Sequence, residues 1–300
     1  MQCSKCHRDA IVFQPYSGMH LCGQHLVADV EAKAKKMIRA QGWLRPGDHI
    51  AVLLSGDPGS SALLYFLKHL TAQRHDIRIS AITVADGTGA GRDISCAKRV
   101  AASLDTELIE VPLAGDSGTG TGAATGSDPD CASTPPFPPF PPSRSFLPGS
   151  VAQQHGITKI AWGLCLDDAA GVVLGSILRG AMDVLVRGNS HEVTIHRICP
   201  FISVTAAEVS LYAALCGFPG EQPPCPAPGD ELHKDTVALL ERYTGNHPAT
   251  KYALLNLGEN LAGSPIGIAG LIQACEWIRE HPGECCDDRP VPCKVNNGAT

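Results

Sequence analysis

From Asp48 to Val111 the chain alternates short, nearly uninterrupted apolar runs with stretches whose apolar residues return every three to four positions. The runs His49–Leu54, Ile77–Val84 and Glu107–Val111 predict strands. Between them, Ser60–Ala72 places Leu63, Leu64, Leu67 and Leu70 on one side of a helix, and Ile94–Leu104 predicts a second helix. Strands that alternate with helices imply a parallel sheet wound by right-handed crossovers. The pattern resumes at Ile157–Trp162 as a buried strand, Leu166–Arg179 as a helix and Glu192–Ile198 as a further strand. Beyond that the periodicity is helical, over Thr205–Cys216, Asp230–Tyr243 and Ser264–Arg279.

Two segments stand outside this rhythm. Residues 27–42 are strong helix formers that stop at Gly42, a favourable C-cap. Residues 114–150 hold a Gly/Ser/Thr/Ala tract followed by the Pro- and Phe-rich run Thr134–Pro142, too little apolar area to offset its ordering entropy, and are expected to be a flexible insert. The expected organisation is a Cys/His-rich module at 1–26, a helical connector at 27–46 and an α/β domain at 47–215 carrying the insert. A helical region at 216–282 and a tail at 283–300 with a degenerate metal finger follow.

With 44% hydrophobic and 18% charged residues, the composition is that of an ordinary globular chain, and no run approaches the ~18 apolar residues of a membrane span. The N-terminus, Met1-Gln2-Cys3, has no apolar signal core, so a cytoplasmic location is expected. There, thirteen cysteines suggest metal, iron–sulfur or sulfur chemistry rather than disulfides. The net charge of −6 does not advertise nucleic-acid binding, but residues 1–46 carry seven Lys and Arg against three Asp and Glu. A basic module on an acidic body suits RNA phosphate; one solvated helix face is the plain alternative.

Cys3-x-x-Cys6 and Cys22-x-x-His25 are two short knuckles, each able to aim two side chains at one tetrahedral ion. Cys3, Cys6, Cys22 and His25 are the expected ligands of a closed structural zinc site, with His7 and His20 as spare imidazoles that allow the set to shift by one. After the first strand, Ser55, Gly56, Gly59, Ser60 and Ser61 form a small-residue turn before a helix, where backbone N–H groups and the helix dipole cradle phosphate. Asp57 sets a carboxylate in that turn, and Pro58 removes one N–H.

The turn Ser55-Gly-Asp-Pro-Gly-Ser60 resembles the pyrophosphate loop Ser-Gly-Gly-x-Asp-Ser of ATP-pyrophosphatase (PP-loop) enzymes, with Asp57 in place of the second glycine and Gly59 in place of the aspartate. The block from Lys159 to Gly180 is similar to the Ala-Thr-Gly-His-Asn-Leu-Asp-Asp-Glu-Ala segment of members that thiolate tRNA. Gly163, Leu166, Asp167, Asp168 and Ala170 fall in register, and Leu164 and Cys165 replace the His and Asn. Together with Cys225-Pro226 and the N-terminal Cys/His pairs, the chain resembles the tRNA wobble-uridine 2-thiolation branch of archaeal and eukaryotic cytosolic type.

That resemblance implies the parallel sheet of the adenine-nucleotide α-hydrolase (PP-loop, HUP-like) fold, with a small N-terminal zinc module and a helical C-terminal part. It implies ATP with Mg²⁺ at Ser55, Gly56, Gly59, Ser60, Ser61, Asp86, Gly163, Asp167 and Asp168, and sulfur handling by Cys225 and Cys131. tRNA is the implied partner; a sulfur-carrier protein and a second copy of the chain are the further partners it admits. Asp167 and Asp168 have a structural alternative, as acidic residues favouring the first turn of a helix. The branch's central Cys-x-x-Cys falls on Phe137 and Phe140, so the expectation sets an iron–sulfur cluster aside. Cys275, Cys285, Cys286 and Cys293 lack the two spaced pairs of a C-terminal finger. Two functions stay open: ATP-dependent adenylation of a tRNA uridine followed by sulfur transfer, with attenuated activity, or a non-catalytic paralogue that keeps fold and metal module to bind tRNA or a partner.

Overall fold

The computed structural model describes residues 1–85, 94–112, 149–180, 195–218 and 231–261. Asp86, Cys131, Phe137, Phe140 and Cys225, nearly all of the expected insert, the expected helix 264–279 and the four C-terminal cysteines lie outside them.

The chain opens with a hairpin, β1 (Val12–Gln14) antiparallel to β2 (Met19–Leu21), which runs into α1 (Gly23–Gln41). Along α1, Leu26, Val30, Ala34 and Ile38 repeat every four residues and are buried, so one stripe of the helix packs inward. Gly42 ends it at φ 60°, a left-handed cap whose N–H returns to the helix carbonyls of Arg39 and Ile38.

The sheet follows. Strands β3 (His49–Leu53), β4 (Arg78–Ala85), β5 (Leu108–Pro112), β6 (Lys159–Ala161) and β7 (His196–Ile198) pair in the order β5-β4-β3-β6-β7, all parallel. Central β3 is buried on both faces: Ile50 and Val52 face one core, and Ala51 faces the other. That two-sided burial is why this strand reads as a continuous apolar run rather than an alternation. The first core is closed by α1, α2 (Pro58–Leu70), α3 (Ser95–Ser103) and α6 (Ala206–Leu215); the second by α4 (Gly149–Gln154), α5 (Leu166–Leu178) and α8 (Thr250–Leu261). Helix α7 (Glu231–Asn246) packs against α5 and α8. The parallel α/β architecture expected from the alternation is therefore present. The hairpin, α4 and α8 were not anticipated: strands of three residues and a helix of six are too short to show a period, and α8 starts two positions after Pro248.

The winding reverses at β3. The chain lays β4 and β5 to one side, then crosses back to place β6 and β7 on the other. At such a reversal the loops leaving the carboxyl ends of β3 and β6 diverge to opposite faces and open a crevice. Residues 54–60 and 162–168 leave those two ends.

At the opposite edge, Lys159 Nζ pairs with Asp48, both side chains about a tenth exposed. Burial alone would raise the Asp48 carboxyl. The Lys159 ammonium, the Arg45 N–H at 2.7 Å and the Thr158 hydroxyl instead hold it below the usual carboxylate range. Replacing Lys159 by Met leaves a buried charge unpaired and should cost about 3 kcal/mol in denaturant unfolding at neutral pH. The ion pair contributes above the unfolded carboxylate pKa of about 4 and is lost as pH falls through the lower folded value. The difference between wild type and Lys159→Met should therefore shrink in acid, and a pH-independent difference would count against the pair.

Candidate functional site

Two groups of side chains meet chemical requirements. In the first, the knuckle Cys3–Cys6 is closed by the Cys6 N–H to the Cys3 carbonyl at 3.3 Å, and the Cys3 N–H to the Arg8 carbonyl at 2.8 Å. Cys22 is the N-cap of α1 and His25 lies in its first turn, so both face the same side of the helix. One ligand atom from each of Cys3, Cys6, Cys22 and His25 lies within 4.8 Å of every other. Cys3 Sγ is 3.3 Å and Cys22 Sγ 3.4 Å from His25 Nδ1, and Cys6 Sγ is 3.7 Å from Cys22 Sγ. A tetrahedral ion bound at about 2.3 Å to sulfur and about 2.0 Å to nitrogen puts its ligand atoms roughly 3.5–3.8 Å apart. The four side chains fit one such ion. The Cys3 thiol is drawn down to about 6: burial opposes ionisation, and the Lys5 and Cys22 N–H groups with His25 outweigh it. His7 is exposed, and the His20 ring packs 4.6 Å from that of Phe13, so neither spare imidazole joins the set.

The second group occupies the crevice. The turn after β3 crosses Gly56 at φ 84°, where a Cβ would stand 2.9 Å from that of Cys96. Asp57 is the N-cap of α2: its carboxylate accepts the Ser60 N–H at 2.7 Å and the Ser55 hydroxyl. The Ser55 N–H in turn reaches Ser60 Oγ at 3.3 Å. Pro58 occupies the first turn of α2, where a missing N–H costs nothing. The turn thus folds on its own side chains, and the Asp57 carboxylate sits where the helix N-terminus would hold an anion.

Gly163 presses backbone to backbone on this turn. A Cβ there would lie 2.9 Å from Gly59 C and from Ser60 N. Ser55, Gly56, Gly59, Ser60, Ser61 and Gly163 are therefore brought together. The two carboxylates of α5 diverge. Asp168 accepts the Cys165 N–H at 2.9 Å and its thiol at 3.1 Å, capping its own helix. Asp167 accepts the Ala206 N–H of α6 at 2.8 Å and pairs with Lys251 of α8. Burial and the two neighbouring carboxylates push the Cys165 thiol well up, leaving it protonated. Lys251 and Cys96 carry no local signature in sequence; only their partners mark them.

The family described as "2-thiouridine synthetase TtuA, N-terminal LIM domain" matches residues 2–27. The tRNA 2-thiolation protein NcsA of Haloferax volcanii is 28% identical over 87% of this chain and 87% of its own length. The tRNA-5-methyluridine(54) 2-sulfurtransferase of Pyrococcus horikoshii is 25% identical over 84% and 80%. In three dimensions, the U34-tRNA thiolase NcsA of Methanococcus maripaludis superposes with a TM-score of 0.71 at 23% identity, covering 87% of each chain.

That last protein carries a [4Fe-4S] cluster. It overturns the expected cofactor set of zinc, ATP and Mg²⁺ with an iron–sulfur cluster set aside. The expectation counted back from Ala152 and Gly156 through Arg144 to reach Phe137 and Phe140, and a fixed count into such a Pro- and Phe-rich tract does not locate ligands. A thiol-rich donor set does not by itself separate zinc from iron–sulfur either. The similarity over 87% of the chain, the N-terminal LIM match, the parallel sheet and the turn after β3 agree: the chain belongs to the PP-loop superfamily, in its tRNA-thiolation branch.

Proposed function

We propose that this chain is a tRNA uridine sulfurtransferase acting in the cytoplasm, in which ATP activates the uridine C2 carbonyl and sulfur then replaces the oxygen. The uridine oxygen attacks the α-phosphorus and pyrophosphate leaves. The sulfur nucleophile then adds at C2, and AMP departs with the oxygen. The observation that carries this reading is the contact of Gly163 with the Gly59–Ser60 backbone at the β3/β6 reversal, which sets a turn of small residues at the N-terminus of α2 beside the end of β6. Ser55, Gly56, Gly59, Ser60 and Ser61 receive the phosphates. Asp86, Gly163, Asp167 and Asp168 flank the nucleotide, and Cys131 and Cys225 handle sulfur. Cys3, Cys6, Cys22 and His25 hold one structural metal ion, the basic N-terminal part faces tRNA, and a sulfur-carrier protein supplies the sulfur.

Asp57 favours a second reading, a non-catalytic paralogue that binds tRNA or a partner. Its carboxylate holds the N–H group that a phosphate would use, so nucleotide must displace it. Incubation of the full chain with tRNA, ATP, Mg²⁺ and sulfide, followed by nucleoside mass spectrometry, decides between them. 2-Thiouridine together with AMP is expected, at a low rate. tRNA binding with neither product would favour the second reading and overturn the first.

A further inference from the structure

The hairpin that adjoins the metal cluster and the N-terminus of α6 are joined by a run of buried and half-buried polar contacts. Gln14, at the end of β1, donates from Nε2 to Asp29 at 2.9 Å and to Glu208 at 2.5 Å, and the Tyr16 hydroxyl donates to the same Glu208 oxygen. Lys33 lies 2.9 Å from Asp29, 3.3 Å from Glu208 and 4.8 Å over the Tyr16 ring. Glu208 itself is 2% exposed. It also closes the capping box of α6, accepting the Thr205 N–H at 3.2 Å while its own N–H reaches the Thr205 hydroxyl at 3.3 Å. The next N–H, of Ala206, is the one Asp167 accepts. Tyr252 stands 5.0 Å from the Tyr16 ring and adjoins Lys251, the other partner of Asp167.

We infer that Glu208 is a positioning residue through which the metal-held hairpin sets the N-terminus of α6 and, through it, Asp167 at the edge of the crevice. Two of its donors, Gln14 and Tyr16, belong to a hairpin too small to hold its shape without the ion. When the hairpin loosens, a buried carboxylate keeps only Lys33 and the Thr205 N–H. A buried charge stripped of partners moves toward water or draws water in. The same carboxylate caps α6, so its movement shifts the N–H offered to Asp167. Burial, and then Glu208, push the Tyr16 hydroxyl far up, so it remains a donor throughout the accessible pH range. Coupling between the two ends is reciprocal, so loss of Glu208 must also weaken metal retention.

This rests on the metal site proposed above, and two arms separate the two claims. In the first, hydrogen exchange of the full chain is followed before and after chelation, with elemental analysis of each sample. Exchange over 165–169 and 204–209 should accelerate at least tenfold while strands β4 and β5 stay unchanged; unchanged exchange at both segments overturns the coupling. In the second, Gln14→Leu/Tyr16→Phe, which leaves all four metal ligands intact, should show the same local acceleration with its metal still bound. Wild-type protection in this variant overturns the coupling whatever the metal content. Glu208→Gln should release metal to a chelator about tenfold faster than wild type, and an unchanged rate would mean that Glu208 supports α6 alone.

Discussion

Cys22→Ser should abolish metal binding and unfold residues 1–22 while the sheet and most of α1 remain. A module of this size buries little of its own: Cys3, Leu21, Cys22 and Leu26 are its buried apolar residues, and Leu26 already belongs to α1. Below about 40 residues a chain segment usually needs a metal or a disulfide to hold a fold. A structural ion of this kind supplies on the order of 10–16 kcal/mol to the fold that encloses it. Removing one of four ligands opens the site, so the loss is expected to be all-or-none rather than graded. Past Leu26, α1 keeps Val30, Ala34 and Ile38 against the first core and has no need of the ion. Elemental analysis should show the loss of one metal ion per chain relative to wild type, and amide protection should vanish over 1–22 while surviving over 27–38. A Cys22→Ser protein that retains its ion would show that these four side chains are not the site.

Asp57→Gly combined with Gly59→Asp should raise ATP affinity roughly tenfold to a hundredfold. The gain comes from the Ser60 N–H, now taken by Asp57, becoming free for phosphate. A hydrogen bond to a charged group is worth about 1.5–3 kcal/mol, and about 1.4 kcal/mol is a factor of ten. Glycine is tolerated at an N-cap, so the helix itself loses only a few tenths of a kcal/mol. The two positions are coupled. A Cβ on Gly59 meets Asp57 Oδ1 at 3.3 Å and the Gly163 carbonyl at 3.2 Å. With Asp57 present, Gly59→Asp alone therefore sets two carboxylates against each other and should weaken binding, while the pair of changes relieves the first contact. Calorimetry with ATP·Mg²⁺ on the two single variants and the double variant gives the cycle. Equal affinity in wild type and double variant would mean that the turn does not hold the phosphates.

These two sites differ in how much of them can be read along the chain. The metal ligands are two local pairs, each within one turn of backbone, and spacing sets Cys22 and His25 3.4 Å apart; the hairpin then brings the two pairs together, with Cys3 3.3 Å from His25 and Cys6 3.7 Å from Cys22. The loop is local too, and its residue types announced both the turn and its misfit at Asp57. What Asp57 does there was not legible. A carboxylate in such a turn could point outward or meet a cation; its inward cap on Ser60 follows from the φ and ψ of the turn. For Asp167 and Asp168 the structural alternative held in part. Asp168 caps its own helix, a habit common in acidic residues at that position, whereas Asp167 reaches α6 and α8. The capping box of Thr205 and Glu208 is written in their spacing, but the burial of Glu208 beneath Gln14 and Tyr16, more than 190 positions away, is not.

By itself the sequence determined what short-range physics decides: the alternation that makes a parallel sheet, the stripe on α1, the glycine that ends it, the two metal knuckles and the turn after β3. Each depends on residues within a few positions of one another, whose geometry the backbone constrains directly. Only the tertiary structure decided which side β6 takes beside β3, which carboxylate meets Lys251, and that Glu208 ties the hairpin to the crevice. Those contacts join segments whose separation along the chain is set by packing in two cores. A buried charge shows its partners only after the elements that bury it have come together.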